Sequence, residues 1–92
     1  MKVVINRCFG GFGLSEKAYE FLGIEWDGYG YKYNGYDLRT DSRLVECVET
    51  LGEEADGRFA ELKVVEIPDD VDWEIDEYDG IESIHEIHRV WY

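Results

Sequence analysis

Lys2-Val3-Val4-Ile5-Asn6-Arg7-Cys8-Phe9-Gly10-Gly11-Phe12-Gly13-Leu14-Ser15 decides how this chain folds. Residues 2–5 form a short apolar, β-branched run, which reads as a buried strand. Three glycines in four positions follow, where the backbone must bend sharply or another group must come close. Ser15 then stands where a helix N-cap belongs, and Glu16 suits the positive end of a helix. Leu14 and Tyr19 have the spacing of a hydrophobic staple. Ala18, Phe21 and Leu22 extend the apolar face, and Gly23 fits the left-handed position that ends helices. The stretch is a strand, a glycine turn and a two-turn helix, too short to stand without packing on the strand.

Three readings of the turn stand side by side, the third being a protein-binding loop. In the functional one, the turn is an anion- or nucleotide-binding loop, because unpaired N–H groups at a helix start favour phosphate. Its ligand-binding residues are Asn6, Arg7, Phe9, Gly10, Gly11, Phe12, Gly13 and Ser15. Neither G-x-G-x-x-G nor the P-loop pattern is matched, and no lysine follows at the P-loop spacing. In the structural one, it is a tight turn with Phe9 and Phe12 in the core.

Working outward, residues 26–36 are aromatic and glycine-rich, with Tyr29, Tyr31 and Tyr33 alternating. Asn34-Gly35 is a type I′ hairpin signal, so an aromatic hairpin or an ordered loop is expected there. Asp41 or Thr40 caps a helix over residues 42–51, whose Leu44, Val45, Val48 and Leu51 form one stripe. Cys47 borders that stripe as a small core residue. Residues 62–67 read as the clearest strand, ended by Pro68. Residues 73–78 alternate apolar with acidic, as a half-buried strand does, and are expected to pair with 62–67 as a hairpin. After an Asp79-Gly80 turn, Ile81, Ile84, His85 and His88 recur at helical spacing, which favours a short final helix with Arg89 near its negative end. A third strand is the alternative. The expected fold is α+β over one domain, residues 1–92: a small mixed or antiparallel β-sheet with two or three short helices. Strands 2–5 and 62–67 lie side by side in its core.

The formal net charge is −13, and it is lopsided. Residues 1–45 carry six acids and six bases, whereas residues 46–92 carry sixteen acids and three bases. Direct binding of that half to a nucleic-acid backbone is disfavoured. Asp69, Asp70, Asp72, Glu74 and Asp76 are instead candidates for binding a basic partner protein. Cys8 and Cys47 have no metal spacing and no secretory leader precedes them, so reduced thiols in a cytoplasm are expected. No apolar run approaches the ~18–20 residues of a membrane span. The surplus of Trp and Tyr allows a homo-oligomer.

No constellation carries strong chemistry. Glu82, His85 and His88 could share one side of a helix, but H-E-x-x-H is not formed. Asp72 to Glu77 lacks the sixth-position glycine of an EF-hand loop. Cys8 has no adjacent base. A non-enzyme without cofactor or metal is expected.

The opening quoted above, together with Leu44-Val45-Glu46 through Leu51-Gly52-Glu53 and Val64-Val65-Glu66-Ile67-Pro68-Asp69-Asp70-Val71 through Ile75-Asp76-Glu77-Tyr78-Asp79-Gly80, with His88-Arg89 and Trp91, resembles a family of small uncharacterised bacteriophage and prophage proteins. The resemblance implies a protein acting in the cytoplasm of a bacterial host, in host takeover or anti-defence. It brings no catalytic residues with it. The leading expectation is a binder of a nucleotide-like small molecule at the glycine turn. An acidic inhibitor or nucleic-acid mimic acting on a basic host protein, and a structural or assembly protein, are the alternatives.

Overall fold

Strand β1, Lys2–Asn6, is buried from Val3 to Asn6, which is why its sequence does not alternate. Val4 faces one apolar cluster, while Val3 and Ile5 face another. The strand therefore lies in the middle of the computed structural model, which describes residues 1–87 as a small α+β fold. β1 pairs antiparallel with β2, Leu62–Glu66, with Val4 opposite Val64. The expected neighbourhood of these two strands is what forms, although the ladder ends at Glu66, one residue earlier than expected.

Two helices cover the Val4 face. Helix α1, Glu16–Leu22, begins at Ser15, whose hydroxyl accepts the Ala18 N–H, and ends at Gly23 with φ 71°. Seven residues are too few for an independent helix. Burial of Ala18, Tyr19 and Leu22 supplies what propensity cannot. Helix α2, Ser42–Leu51, is capped by the Asp41 carboxylate, which accepts the Arg43 and Leu44 N–H groups. Its Leu44, Val45, Cys47 and Val48 are buried against α1 and the β1/β2 sheet. Burial pushes the Cys47 thiol up to about 11, as suits an inert core residue. A 3₁₀ turn, Gly52–Ala55, follows.

The other face of β1 is covered by a hairpin of β3, Trp73–Tyr78, and β4, Ile81–Glu86. Ile75 and Ile84 pack there on Val3 and Ile5. Two expectations are corrected here. β3 pairs with β4 and not with β2, and the final helix over residues 81–88 is a strand, as far as the described residues extend. The reason is local. Asp79 and Gly80 have φ 50° and 88°, the two positive values of a type I′ turn. With Tyr78 opposite Ile81, the turn reverses the chain at once and fixes residues 81–86 as the returning strand. His88 and Arg89, assigned to the final helix, lie outside the described residues.

A third correction concerns Asn34-Gly35. Gly35 has φ −63°, so no type I′ turn forms, and residues 24–41 contain no strand. A 3₁₀ turn, Tyr36–Leu38, follows instead. The segment is the ordered loop of the two forms expected.

Candidate functional site at the glycine turn

The glycine turn is where four segments meet. Asn6, at the end of β1, is fully buried, and its side-chain amide makes four hydrogen bonds. Its Nδ2 donates to the Cys8 and Gly80 carbonyls, and its Oδ1 accepts from the Cys8 and Glu61 N–H groups. One side chain thus ties the turn to the β3/β4 turn and to the start of β2. Farther along, the Gly57 N–H donates to the Gly13 carbonyl and the Leu14 N–H to the Gly30 carbonyl, each at 2.9 Å. A Cβ on Gly57 would sit 2.6 Å from the Gly13 carbonyl carbon. One on Gly30, where φ is +83°, would sit 2.1 Å from the Leu14 oxygen. Glycines distant in sequence let the backbones touch.

Beneath the turn lies a buried ion pair. Arg39 and Glu82 are 1 % and 4 % exposed. The guanidinium donates to both carboxylate oxygens, at 2.5 and 2.8 Å, and to the Asn34 and Val4 carbonyls. Glu82 also accepts the Asn6 backbone N–H at 2.8 Å. The Phe12 ring lies 3.7 Å from the guanidinium carbon, a cation–π contact that places Phe12 in the core. Phe9, also expected inside by the structural reading of the turn, is 70 % exposed. Sequence reasoning missed the Arg39/Glu82 pair. Its signal is parity, since Glu82 shares a β-strand face with Ile84 and so needs a cation once that face is buried.

The aromatic loop is fastened by Tyr19. Its buried hydroxyl donates to the Asp27 carboxylate at 2.8 Å and accepts the Lys32 N–H at 2.9 Å. The other Asp27 oxygen accepts the Tyr29 and Gly30 N–H groups. Those two backbone bonds, led by Gly30, hold the Asp27 carboxyl down at about 2. Burial, more than the neighbouring carboxylate, pushes the Tyr19 hydroxyl up to about 12.

The result is a cleft of about 550 Å³ along the turn. It is lined by residues 10–16, by Trp26, Gly28, Tyr29 and Tyr31, and by residues 56–60. Tyr29 and Tyr31 stack, 15° apart, with ring centroids 6.2 Å apart. They are 75 % and 55 % exposed, and Phe59 is 65 % exposed. A second cleft of about 480 Å³ lies across residues 10–12, over Arg39 and Glu82. The N–H groups of Gly10, Phe12 and Gly13 form no hydrogen bond among the described residues.

Of the residues singled out from sequence, Gly10, Gly11, Phe12, Gly13 and Ser15 line the first cleft. Ser15 has its hydroxyl engaged, accepting from Ala18 and donating to the Glu54 carbonyl. Arg7 is exposed and donates to the Glu82 backbone carbonyl. The acidic candidates fall elsewhere, on the hairpin and the turn before it. Asp69, Asp70, Asp72, Glu74 and Asp76 are all exposed. Asp69 pairs with the Met1 amino group and Asp76 with the His85 ring. β4 places Glu82 and His85 on opposite faces, so they do not share a site. Among the described residues no three metal-ligating side chains cluster. No helix among them is long and apolar enough to cross a membrane.

No protein-family model, no curated protein and no solved structure matches this chain.

Proposed function

We propose that the protein is a non-enzymatic binder of a nucleotide-like small molecule, held by its flat, base-like part in the cleft along the glycine turn. The observation that carries this reading is the meeting of the glycine turn with stacked, exposed tyrosines in one cleft. Gly11 has open space where a side chain would stand, and an exposed tyrosine face stacks on a flat ring. The Gly10, Phe12 and Gly13 N–H groups, unbonded among the described residues, are donors for ring acceptors. The charged side chains of the cleft are Glu16, Asp56 and Arg58. Two acids against one base disfavour a triphosphate and favour a nucleoside or a singly charged cyclic nucleotide. The likeness of the opening residues to phage proteins supports a role in host takeover or anti-defence in the bacterial cytoplasm.

Calorimetric titration with nucleosides, cyclic nucleotides and triphosphates tests this reading. A saturating heat is expected for a nucleoside or cyclic mononucleotide, weakened by about tenfold in Tyr31→Ala, since a base–aromatic stack contributes ~1–3 kcal/mol. Absence of heat across the panel overturns it.

A second reading rests on the hairpin. Glu74 and Asp76 share its solvent face, with Asp69 and Asp70 just before it, which suits a basic host protein. Such binding would weaken steeply with salt.

A further inference from the structure

The buried Arg39/Glu82 pair leaves one donor over. The Arg39 Nε–H is the one buried side-chain polar group among the described residues without a hydrogen-bond partner. A guanidinium is a planar fork of five donors. Nη1 and Nη2 meet the two Glu82 oxygens end-on, and Nη2 also donates to the Asn34 carbonyl. The Nε–H lies along the same edge of the fork as that second Nη2 hydrogen, so it is aimed toward Asn34. Asn34 and Arg39 both line the second cleft, the one of about 480 Å³. A buried donor without an acceptor bears its full desolvation cost unless a ligand supplies one.

Glu77 lines the same cleft and is the second observation. The two-residue turn at Asp79-Gly80 makes Tyr78 and Ile81 a hydrogen-bonded pair. Glu77 and Glu82 are then the next, non-bonded pair, in which opposed side chains stand closest. Both lie on the face of the hairpin that carries Ile75 and Ile84. Arg39 is taken up by Glu82. One Glu77 oxygen accepts the Gly80 N–H at 3.2 Å, and the other meets no partner among the described residues. The exposed Asn34 side-chain amide is likewise unbonded among them. Arg39 is the one cation lining this cleft, and Glu82 already neutralises it, so a phosphate finds no counter-charge. Hydroxyl groups, which both donate and accept, match what is left. The cleft is continuous with the first one, because Gly10, Gly11, Phe12 and Tyr31 line both.

We propose that the second cleft is a sugar site, which takes the vicinal 2′ and 3′ hydroxyls of a ribonucleoside whose base lies in the first cleft. One hydroxyl oxygen accepts the Arg39 Nε–H, and the hydroxyls donate to the free Glu77 oxygen and to the Asn34 amide oxygen. The inference rests on the base reading of the first cleft and narrows its ligand to a nucleoside with both hydroxyls free. A cyclic phosphate on either hydroxyl would remove a donor and set an anion beside Glu77.

Calorimetric titration with adenosine, guanosine, cytidine and uridine, each beside its 2′,3′-dideoxy counterpart, tests the sugar site. A ribonucleoside that binds should do so about tenfold or more tighter than its dideoxy form, because hydrogen bonds to charged groups are the stronger ones. The Arg39 Nε–H resonance should shift with the ribonucleoside and far less with the dideoxynucleoside. In Glu77→Gln the amide oxygen still serves the Gly80 N–H, which leaves toward the sugar an NH₂ group that cannot accept. That variant should lose most of the ribose advantage and keep dideoxynucleoside binding, with an unchanged circular dichroism spectrum. If it does not fold, the wild-type affinities and the Arg39 resonance decide. Equal affinity for the two sugars, or an Arg39 resonance that responds to both alike, overturns the sugar site and leaves the base reading standing. So does a folded Glu77→Gln that keeps the ribose advantage or loses both nucleosides alike. Absence of binding by every member of the panel overturns both.

Discussion

Tyr19 shows how much of this molecule hangs on single polar atoms. Its hydroxyl bridges the Asp27 carboxylate and the Lys32 N–H, so the loop over residues 27–32 is closed by one oxygen. Tyr19→Phe keeps the ring but orphans the Lys32 N–H, at a cost of about 1–3 kcal/mol in urea unfolding. The two titrations have opposite windows. Asp27 is held at about 2, below its ordinary 3.8, so its contribution is complete above the ordinary value and is lost as pH falls through about 2. Tyr19 is held at about 12, above its ordinary 10.0, so its contribution is complete below that value and is lost as pH rises through about 12. Amide shifts of Tyr29 and Gly30 should follow the acid window, and one late-ionising tyrosine should appear by ultraviolet titration. Glycines give a matched pair of variants. Gly28→Ala meets open space at φ +86° and should cost about 1 kcal/mol. Gly30→Ala adds a collision with the Leu14 carbonyl and should cost more than about 3 kcal/mol, or prevent folding. Residue-scale signals were the most legible ones: Ser15, Asp41 and Gly23 act where their chemistry placed them. The partners of Gly13 and Leu14 were not legible, because Gly57 and Gly30 are remote in sequence.

Among the elements, the β3/β4 hairpin shows what decides between competing local signals. Asn34-Gly35 and Asp79-Gly80 are both hairpin dipeptides, yet only the second lies between residues free to run as strands. The first is preceded by Gly28 and Gly30, and the Asn34 carbonyl is bound by Arg39. Helical spacing of Ile81, Ile84, His85 and His88 misled because so short a segment holds too few repeats to decide a period, and the type I′ turn at residues 79–80 made Ile81–Glu86 a strand instead. Arg39 and Glu82 then lock the hairpin against β1. Glu82→Gln leaves a buried guanidinium without its counter-charge and should cost about 3–5 kcal/mol. Arg39→Met with Glu82→Leu should recover part of that loss, and a double-mutant cycle by chemical denaturation measures it.

At the scale of the whole molecule, β1 is the shared wall between two apolar clusters of unequal size. The helical side buries α1 and α2, whereas the hairpin side rests chiefly on Val3, Ile5 and Ile75. Ile75→Ala should therefore cost about 2–4 kcal/mol and raise hydrogen exchange in β3 and β4 ahead of α1 and α2. The α+β class and the adjacency of β1 and β2 were readable from sequence, since burial leaves an apolar run. The gathering of clefts around the glycine turn was not, since it depends on which loops the fold brings back to residues 10–13. That gathering is the centre of the functional reading. Backbone amide mapping by nuclear magnetic resonance during titration with adenosine, guanosine and their cyclic monophosphates tests it most directly. The account predicts saturable shifts concentrated at residues 10–13 and 29–31. Shifts absent there with every member of the panel, or confined to the hairpin, would contradict it.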